Sequence, residues 1–255
     1  RALGIDDNVD LKTFDPIATS GDEDASDEDR ATALQVQAAT TQVANLTSTA
    51  GAAASGASGN DDVGADNDQA LGAIADAISR AGDDGTVDLT DSETVGNIVR
   101  DTLTRAQQSS GQSLDDDQVE NIVNNAGELA RNANERVRDA ADQGGDPGEA
   151  FQNIARAQKV AQGEGAESVR QGAENNNFDD TNERFGGDNF DDRVNETDVD
   201  VPADDGEQDD GEQDEGEDND GGGGGNADPT ADDDTFRLPE NGVLTVSATQ
   251  LLEND

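Results

Sequence analysis

Carboxylates are the side chains of this sequence with the widest choice of chemistry, since Asp and Glu number 61 against 15 Lys and Arg. Two carboxyls can act as general acid and base in glycoside hydrolysis when a pocket fixes their separation and drives their pKa values apart. Acidic residues recur along most of the chain, so no pair is distinguished by its spacing. With six Phe and no Trp or Tyr, aromatic platforms for a sugar are scarce. We expect a protein that is not an enzyme.

Other reactive side chains are missing from the composition. The sequence has no Cys and no His, which excludes disulfides, thiolate zinc sites and imidazole-activated nucleophiles. The glycine run 221–225 is not followed by the Lys-Ser/Thr pair of a phosphate-binding loop. Neither nucleophilic catalysis nor phosphate binding is indicated.

Calcium is the one cofactor that this oxygen-rich composition brings into consideration, because this hard cation takes several oxygen ligands. The acidic run from Asp204 to Asp220 does not have the strict spacing of an EF-hand loop. The run favours diffuse condensation of cations over a discrete metal site.

Two Asn-x-Thr sequons would permit glycosylation on a secreted chain, at Asn45 and at Asn195. Asn45 falls within a predicted helix, whereas Asn195 lies in polar sequence. Asn195 is therefore the better candidate.

The formal net charge of −46 limits the partners of the chain. Nucleic acids and anionic membranes need a basic footprint, so we expect neither as a partner. No run of about eighteen apolar residues is present, so we expect no direct membrane insertion.

Acidic residues occur within the predicted helices as well as between them, which favours a halophilic surface over an ordinary disordered acidic protein. The chain starts at Arg1 and contains no Met, so we expect an internal piece of a longer extracellular or cell-surface product, with any export signal outside it.

The apolar residues that could form a core have helical spacing. In a helix predicted to begin near Asp29, one stripe is formed by Val36, Ala39, Val43, Leu46 and Ala50. We expect this helix to fray in the Gly, Ala and Ser run 51–59. A short preceding segment should dock on it through Phe14 and Ile17.

Further helices are predicted downstream. Their apolar stripes begin near Asp66, after Leu89, after Leu114 and after the Asp146-Pro147 pair. The second and third resemble each other, and two copies are too few for a solenoid, so we interpret them as a hairpin in a small helical bundle. The predicted fold class is mainly α, with a helical module at residues 1–173.

The sequence changes character after residue 173. Residues 174–234 are acidic and rich in Gly and Asp, which predicts a long disordered linker. An Asn-Phe-Asp-Asp repeat at 177–180 and 189–192 could be a pair of docking motifs, but we favour chance duplication in disordered sequence. In residues 235–255 the alternation of apolar and polar residues around a turn is typical of paired strands.

The C-terminal segment also resembles a known family. Residues 236–255, which end in Leu251-Leu252-Glu253-Asn254-Asp255, resemble the opening of cadherin-like tandem repeats in large secreted, adhesin-like surface proteins. The resemblance implies the truncated start of a β-sandwich and calcium-dependent stiffening of an adhesive stalk. Asn254 and Asp255 match the start of that family's calcium-binding element, so the resemblance implies them as metal ligands.

The N-terminal part resembles an Ala-rich helical module that accompanies such repeats. This similarity is carried by residues 3–5, 9–18 and 37–46. Together the two resemblances imply a non-enzymatic structural stalk or adhesion scaffold, with other cell-surface or matrix components as partners and calcium linked to its repeats. Two alternatives remain open. One is a cation- or protein-binding module that uses the acidic linker and the helical face, and the other is an accessory region of a secreted depolymerase.

Overall fold

The computed structural model describes residues 2–6, 8–22, 24–60, 63–82, 85–143 and 146–199. Within these ranges the regular elements are Pro16–Gly21 (α1), Asp27–Ser58 (α2), Val63–Ala81 (α3), Ser92–Ser110 (α4), Asp116–Asp142 (α5), Pro147–Val160 (α6), Ala161–Gly165 (a π-helical turn), Ala166–Asn175 (α7), Asp179–Phe185 (α8) and Asn189–Glu196 (α9). The prediction of a mainly α fold with a helical bundle is confirmed for the described residues. The predicted linker residues 200–234 and the predicted strands at 235–255 lie outside them.

Helix α2 lies at the centre of the bundle and contacts α1 and every helix from α3 to α7. Its start is fixed by a capping box. The Ser26 hydroxyl accepts from the Asp29 N–H at 3.1 Å, and the Asp29 carboxylate accepts from the Ser26 N–H at 3.2 Å. The predicted stripe faces the core, with Leu46 and Ala50 fully buried.

The small residues 51–58 continue α2, which corrects the prediction that the run 51–59 frays the helix. A Cβ built on Gly51 would lie 2.0 Å from Asn67 Oδ1 of α3, and one on Gly56 would lie 2.0 Å from the Arg170 carbonyl oxygen of α7. The missing side chains therefore let two helices pack against α2 at short range. Most helical stability in proteins comes from such packing, which here outweighs the low helix propensity of glycine.

The segment before α2 docks differently from the prediction. Phe14 and Pro16 are half-buried, but Ile17 is 67% exposed. Asp15 caps α1, and its carboxylate accepts from the N–H groups of Ile17 and Ala18 at 3.0 Å. The capped turn is short, and the Ile17 side chain is left in solvent, so the predicted docking of this residue is wrong.

Helices α4 and α5 form an antiparallel hairpin, in agreement with the prediction. Asp91 caps α4 and Asp115 caps α5, each by accepting a hydrogen bond from a backbone N–H of the first turn. A Cβ built on Gly127 would lie 3.9 Å from Gly96 Cα. The two helix backbones therefore approach closely at these glycines.

Helices α8 and α9 correct the prediction that the linker begins at residue 174. The two Asn-Phe-Asp-Asp repeats supply Phe178 and Phe190, which are 3% and 0% exposed, and Phe185 between them is 1% exposed. All three join the same hydrophobic core as the longer helices. Three buried aromatic rings provide enough apolar contact to hold an otherwise polar segment against the bundle.

Candidate functional site

A surface groove with a volume of about 600 Å³ lies between α4 and α5. We call it the α4–α5 groove. Its lining residues are Ser92, Glu93, Gly96, Asn97, Arg100, Glu120, Val123, Asn124, Gly127, Glu128 and Arg131. Gly96 and Gly127 form part of its floor because neither carries a side chain that could fill the space between the helices.

Local helix geometry places these side chains in one groove. On α4, Glu93, Asn97 and Arg100 are separated by four and three residues, which puts them on one face. On α5 the same relation holds for Glu120 and Asn124. The apolar residues on the opposite faces of both helices, such as Ile98 and Ile122, are buried and fix the orientation of each helix.

Charges of both signs lie in the α4–α5 groove. Arg100 Nη2 is 3.5 Å from Glu120 Oε2 across the groove. Arg131 Nη1 donates to Glu135 Oε2 at 2.8 Å, and Glu128 Oε1 accepts from the Gly187 N–H at 3.3 Å. The lining thus has three glutamates and two arginines, which is close to neutral in a chain of net charge −46.

The α4–α5 groove is suited to binding a surface and not to enclosing a small substrate. Glu93, Asn97, Asn124 and Glu128 are exposed. Their carboxylates and amides can exchange hydrogen bonds with a polar partner that carries both signs of charge.

A second polar cluster lies inside the bundle. Asn45 and Asn134 are both fully buried, and Asn45 Nδ2 donates to Asn134 Oδ1 at 3.4 Å. Gln162 Nε2 of the π turn donates to Asn45 Oδ1 at 3.2 Å, and Asn134 Nδ2 donates to the Leu89 carbonyl at 2.9 Å. These neutral groups satisfy one another and tie α2, α5 and the π turn together. We call them the buried amide network.

A carboxylate of the π turn connects α8 and α9. Glu164 accepts from Arg193 Nη2 at 2.6 and 2.7 Å and from Arg184 Nη2 at 2.5 Å. The hydrogen bonds from Arg193 hold the pKa of Glu164 below its ordinary value. We call this surface cluster the Glu164 clasp.

The sequence-predicted site residues have different fates. Asn195 is exposed on α9, where its Oδ1 accepts from Arg136 Nη2 at 2.9 Å. Asn45 of the other sequon is fully buried, so it is closed to modification in the folded chain. Asn254 and Asp255 lie outside the described residues. Within the described part of the chain, no group of three or more acidic side chains is placed to hold a metal ion.

Sequence reasoning missed both the α4–α5 groove and the buried amide network. The groove could have been found from the shared spacing of Glu93, Asn97 and Arg100 with Glu120 and Asn124. The sequence contained one signal for the network: Asn45 is a polar residue next to the apolar stripe of a predicted helix. An asparagine in that position fits a solvent-facing helix equally well.

Comparison of the chain with protein-family models, with curated proteins and with solved structures found no match. The resemblance to cadherin-like repeats therefore stays a prediction. Among the described residues, none of the helices has the length and apolar character needed to span a bilayer.

Proposed function

We propose that this chain is a non-enzymatic spacer and scaffold module of a long secreted or cell-surface protein that works in concentrated salt. The observation that supports this proposal is that most charge lies outside the core. Among the described residues the one buried carboxylate is Asp66, which accepts a hydrogen bond from Asn60 Nδ2 at 3.1 Å. The other described carboxylates lie on the outer faces and at helix starts, whereas the buried polar groups of the amide network are neutral. Salt screens surface charges but leaves buried neutral hydrogen bonds and apolar packing in place.

The arginines of the bundle support the same proposal. Ten of them form ion pairs with carboxylates at the surface, namely Arg30, Arg80, Arg100, Arg105, Arg131, Arg136, Arg138, Arg170, Arg184 and Arg193. Exposed pairs of this kind contribute only about 0–1 kcal/mol each, so their weakening in salt costs the fold little. The excess of acid over base is free to bind water and cations.

The proposed role is mechanical. The bundle is a folded unit in which α2 contacts the helices around it. In a stalk, such a unit separates neighbouring modules outside the cell, where other surface or matrix components are its partners. The calcium-linked part of the proposal rests on Asn254 and Asp255 and on the resemblance alone.

Thermal unfolding of the full chain in potassium chloride tests this proposal. Raising the salt concentration from about 0.1 M to about 1 M should raise Tm, because screening relieves the repulsion between carboxylates. The loss of the helical circular dichroism signal on heating measures Tm. A variant with Asp68→Asn and Asp192→Asn, both exposed positions, should gain less from salt. A Tm that does not change or falls with salt would contradict the proposal.

A protein-binding module is the second candidate, and the α4–α5 groove favours it. Cation binding is the remaining alternative, and calorimetry with calcium in high salt distinguishes it from the spacer role. A saturable heat with a fixed stoichiometry would point to a discrete cation site, whereas a heat that never saturates leaves the spacer role.

A further inference from the structure

The α4–α5 groove has a nearly balanced charge, whereas the chain as a whole is strongly acidic. A copy of this chain that approaches another meets repulsion between two bodies of formal charge −46. Over the groove this repulsion is reduced, since Arg100 and Arg131 offset two of its three glutamates. A like-charged partner therefore meets less repulsion at this surface than the net charge of the chain would produce.

The charges of the groove also have a self-complementary order. Along α4, Glu93 lies toward one end and Arg100 toward the other, and along α5 the same is true of Glu120 and Arg131. Because the helices are antiparallel, Glu93, Glu128 and Arg131 lie toward one end of the groove, and Arg100 and Glu120 lie toward the other. A two-fold rotation that exchanges the helices places Glu93 opposite Arg131 and Glu120 opposite Arg100 of the second copy. Glu128 is the one lining charge that this arrangement leaves without an arginine.

The floor of the groove allows close approach. Gly96 and Gly127 leave a volume of about 600 Å³, and the exposed amides of Asn97 and Asn124 lie beside them. Amide side chains can donate and accept at once, so the same residue on a second copy is a suitable partner.

We propose that the α4–α5 groove is the contact through which a second copy of this chain binds, as a two-fold dimer. The dimer would join two spacer modules side by side. This proposal does not depend on the salt adaptation described above, because it rests on the order of charges within the groove.

Two charge-reversal variants of the full chain test the dimer in about 1 M salt, where the Debye length is about 3 Å. One carries Arg100→Glu with Arg131→Glu, and the other carries Glu93→Arg with Glu120→Arg. Sedimentation velocity over a concentration series should show dimers for the unmodified chain. Self-association of each variant should be weaker by about tenfold or more, and an equimolar mixture should restore the dimer.

The second variant separates the groove from a general effect of charge. It makes the protein less acidic, so dimerisation would become stronger if only net charge mattered. A matched control, Arg80→Glu with Arg170→Glu, changes two arginines outside the groove and should leave the dimer intact.

Three outcomes would overturn the proposal. These are a chain that stays monomeric throughout the series, reversal variants that dimerise like the unmodified chain, and a mixture that fails to associate although both variants keep their helical circular dichroism. If a reversal variant does not fold, Asn97→Trp at an exposed groove position provides a neutral block, and an unchanged dimer in that variant also refutes the contact.

Discussion

Buried asparagines determine how three elements of this protein are held together. The Asn134 side chain receives a hydrogen bond from Asn45 and donates one to the Leu89 carbonyl, while its main-chain carbonyl accepts from Gln42 Nε2 at 3.1 Å. The Asn45 amide and the Leu89 carbonyl would lose this partner in the interior if the Asn134 side-chain amide were removed. An unpaired buried polar group costs more than a single hydrogen bond contributes, so the network specifies one arrangement of the helices.

Replacing Asn134 with alanine tests the buried amide network. We expect the free energy of unfolding to fall by about 1–3 kcal/mol, since the Leu89 carbonyl and the Asn45 amide lose their partner. Urea unfolding followed by circular dichroism measures the change. Asp139→Ala, at an exposed position of the same helix outside the α4–α5 groove, is the control and should stay within about 0.5 kcal/mol of the parent. Equal effects of the two substitutions would show that the network does not stabilise the fold.

The helices show where local sequence signals are overruled by packing. Glycine in a helix interior normally lowers stability, and the Gly-Ala-Ser run of α2 was expected to end the helix for that reason. At Gly56 the backbone of α7 occupies the space of a side chain. The neighbour that justifies the glycine comes more than a hundred residues later in the chain, so its role could not be predicted from the local sequence.

Replacing a helical glycine with alanine usually stabilises a protein, but Gly56→Ala should lower the free energy of unfolding. The added Cβ would meet the Arg170 carbonyl at 2.0 Å, and overpacking of this kind costs about 1–3 kcal/mol. Gly163→Ala in the π turn is the matched control, because a Cβ there would meet nothing within 4 Å. There the higher helix propensity of alanine should raise the free energy of unfolding by about 0.5–1 kcal/mol. Stabilisation by both substitutions would contradict the close contact of α2 with α7.

The Glu164 clasp gives α8 and α9 a dependence on pH. The pKa of the Glu164 carboxyl is lower in the folded chain than in the unfolded chain, so this carboxyl binds a proton more tightly when the chain is unfolded. The stability that the clasp contributes is therefore present at neutral pH and is lost as the pH falls through the folded-state pKa of Glu164.

Glu164→Gln should lower the free energy of unfolding at neutral pH by about 0.5–1 kcal/mol and reduce the further loss on acidification. Urea unfolding at a series of pH values measures both effects. Glu183→Gln on the exposed side of α8 is the control. The same pH profile for Glu164→Gln and the parent would exclude a contribution of the clasp.

At the scale of the whole molecule, the sequence was sufficient to predict a helical bundle but not to predict where the bundle ends along the chain. Periodic apolar residues predicted the central helix and the α4–α5 hairpin, because each helix carries its own amphipathic pattern. The α8–α9 region has too few apolar residues for a pattern, and its fold depends on Phe185 and Phe190 reaching a core made by other helices. The α4–α5 groove was missed because charged helix faces are common in so acidic a chain.

The different packing of the helices predicts different rates of hydrogen exchange. Helix α2 contacts most of the bundle, whereas α1 buries none of its residues. Amides of α2 should exchange only through global unfolding, and those of α1 should exchange through local opening, with much lower protection. Hydrogen–deuterium exchange with mass spectrometry of the full chain measures the difference. Equal protection of the two helices would show that α1 is as firmly docked as the centre of the bundle.

The two glycines of α2 also have a consequence for how such a chain can diverge over evolution. Exposed acidic residues can be replaced with little effect on packing, so the sequence of that surface should change quickly. Positions 51 and 56 admit no side chain at all while their neighbours stay in place. Distant relatives should therefore share this five-residue spacing of glycines, together with the asparagines at 45 and 134, long after similarity of the outer residues has been lost.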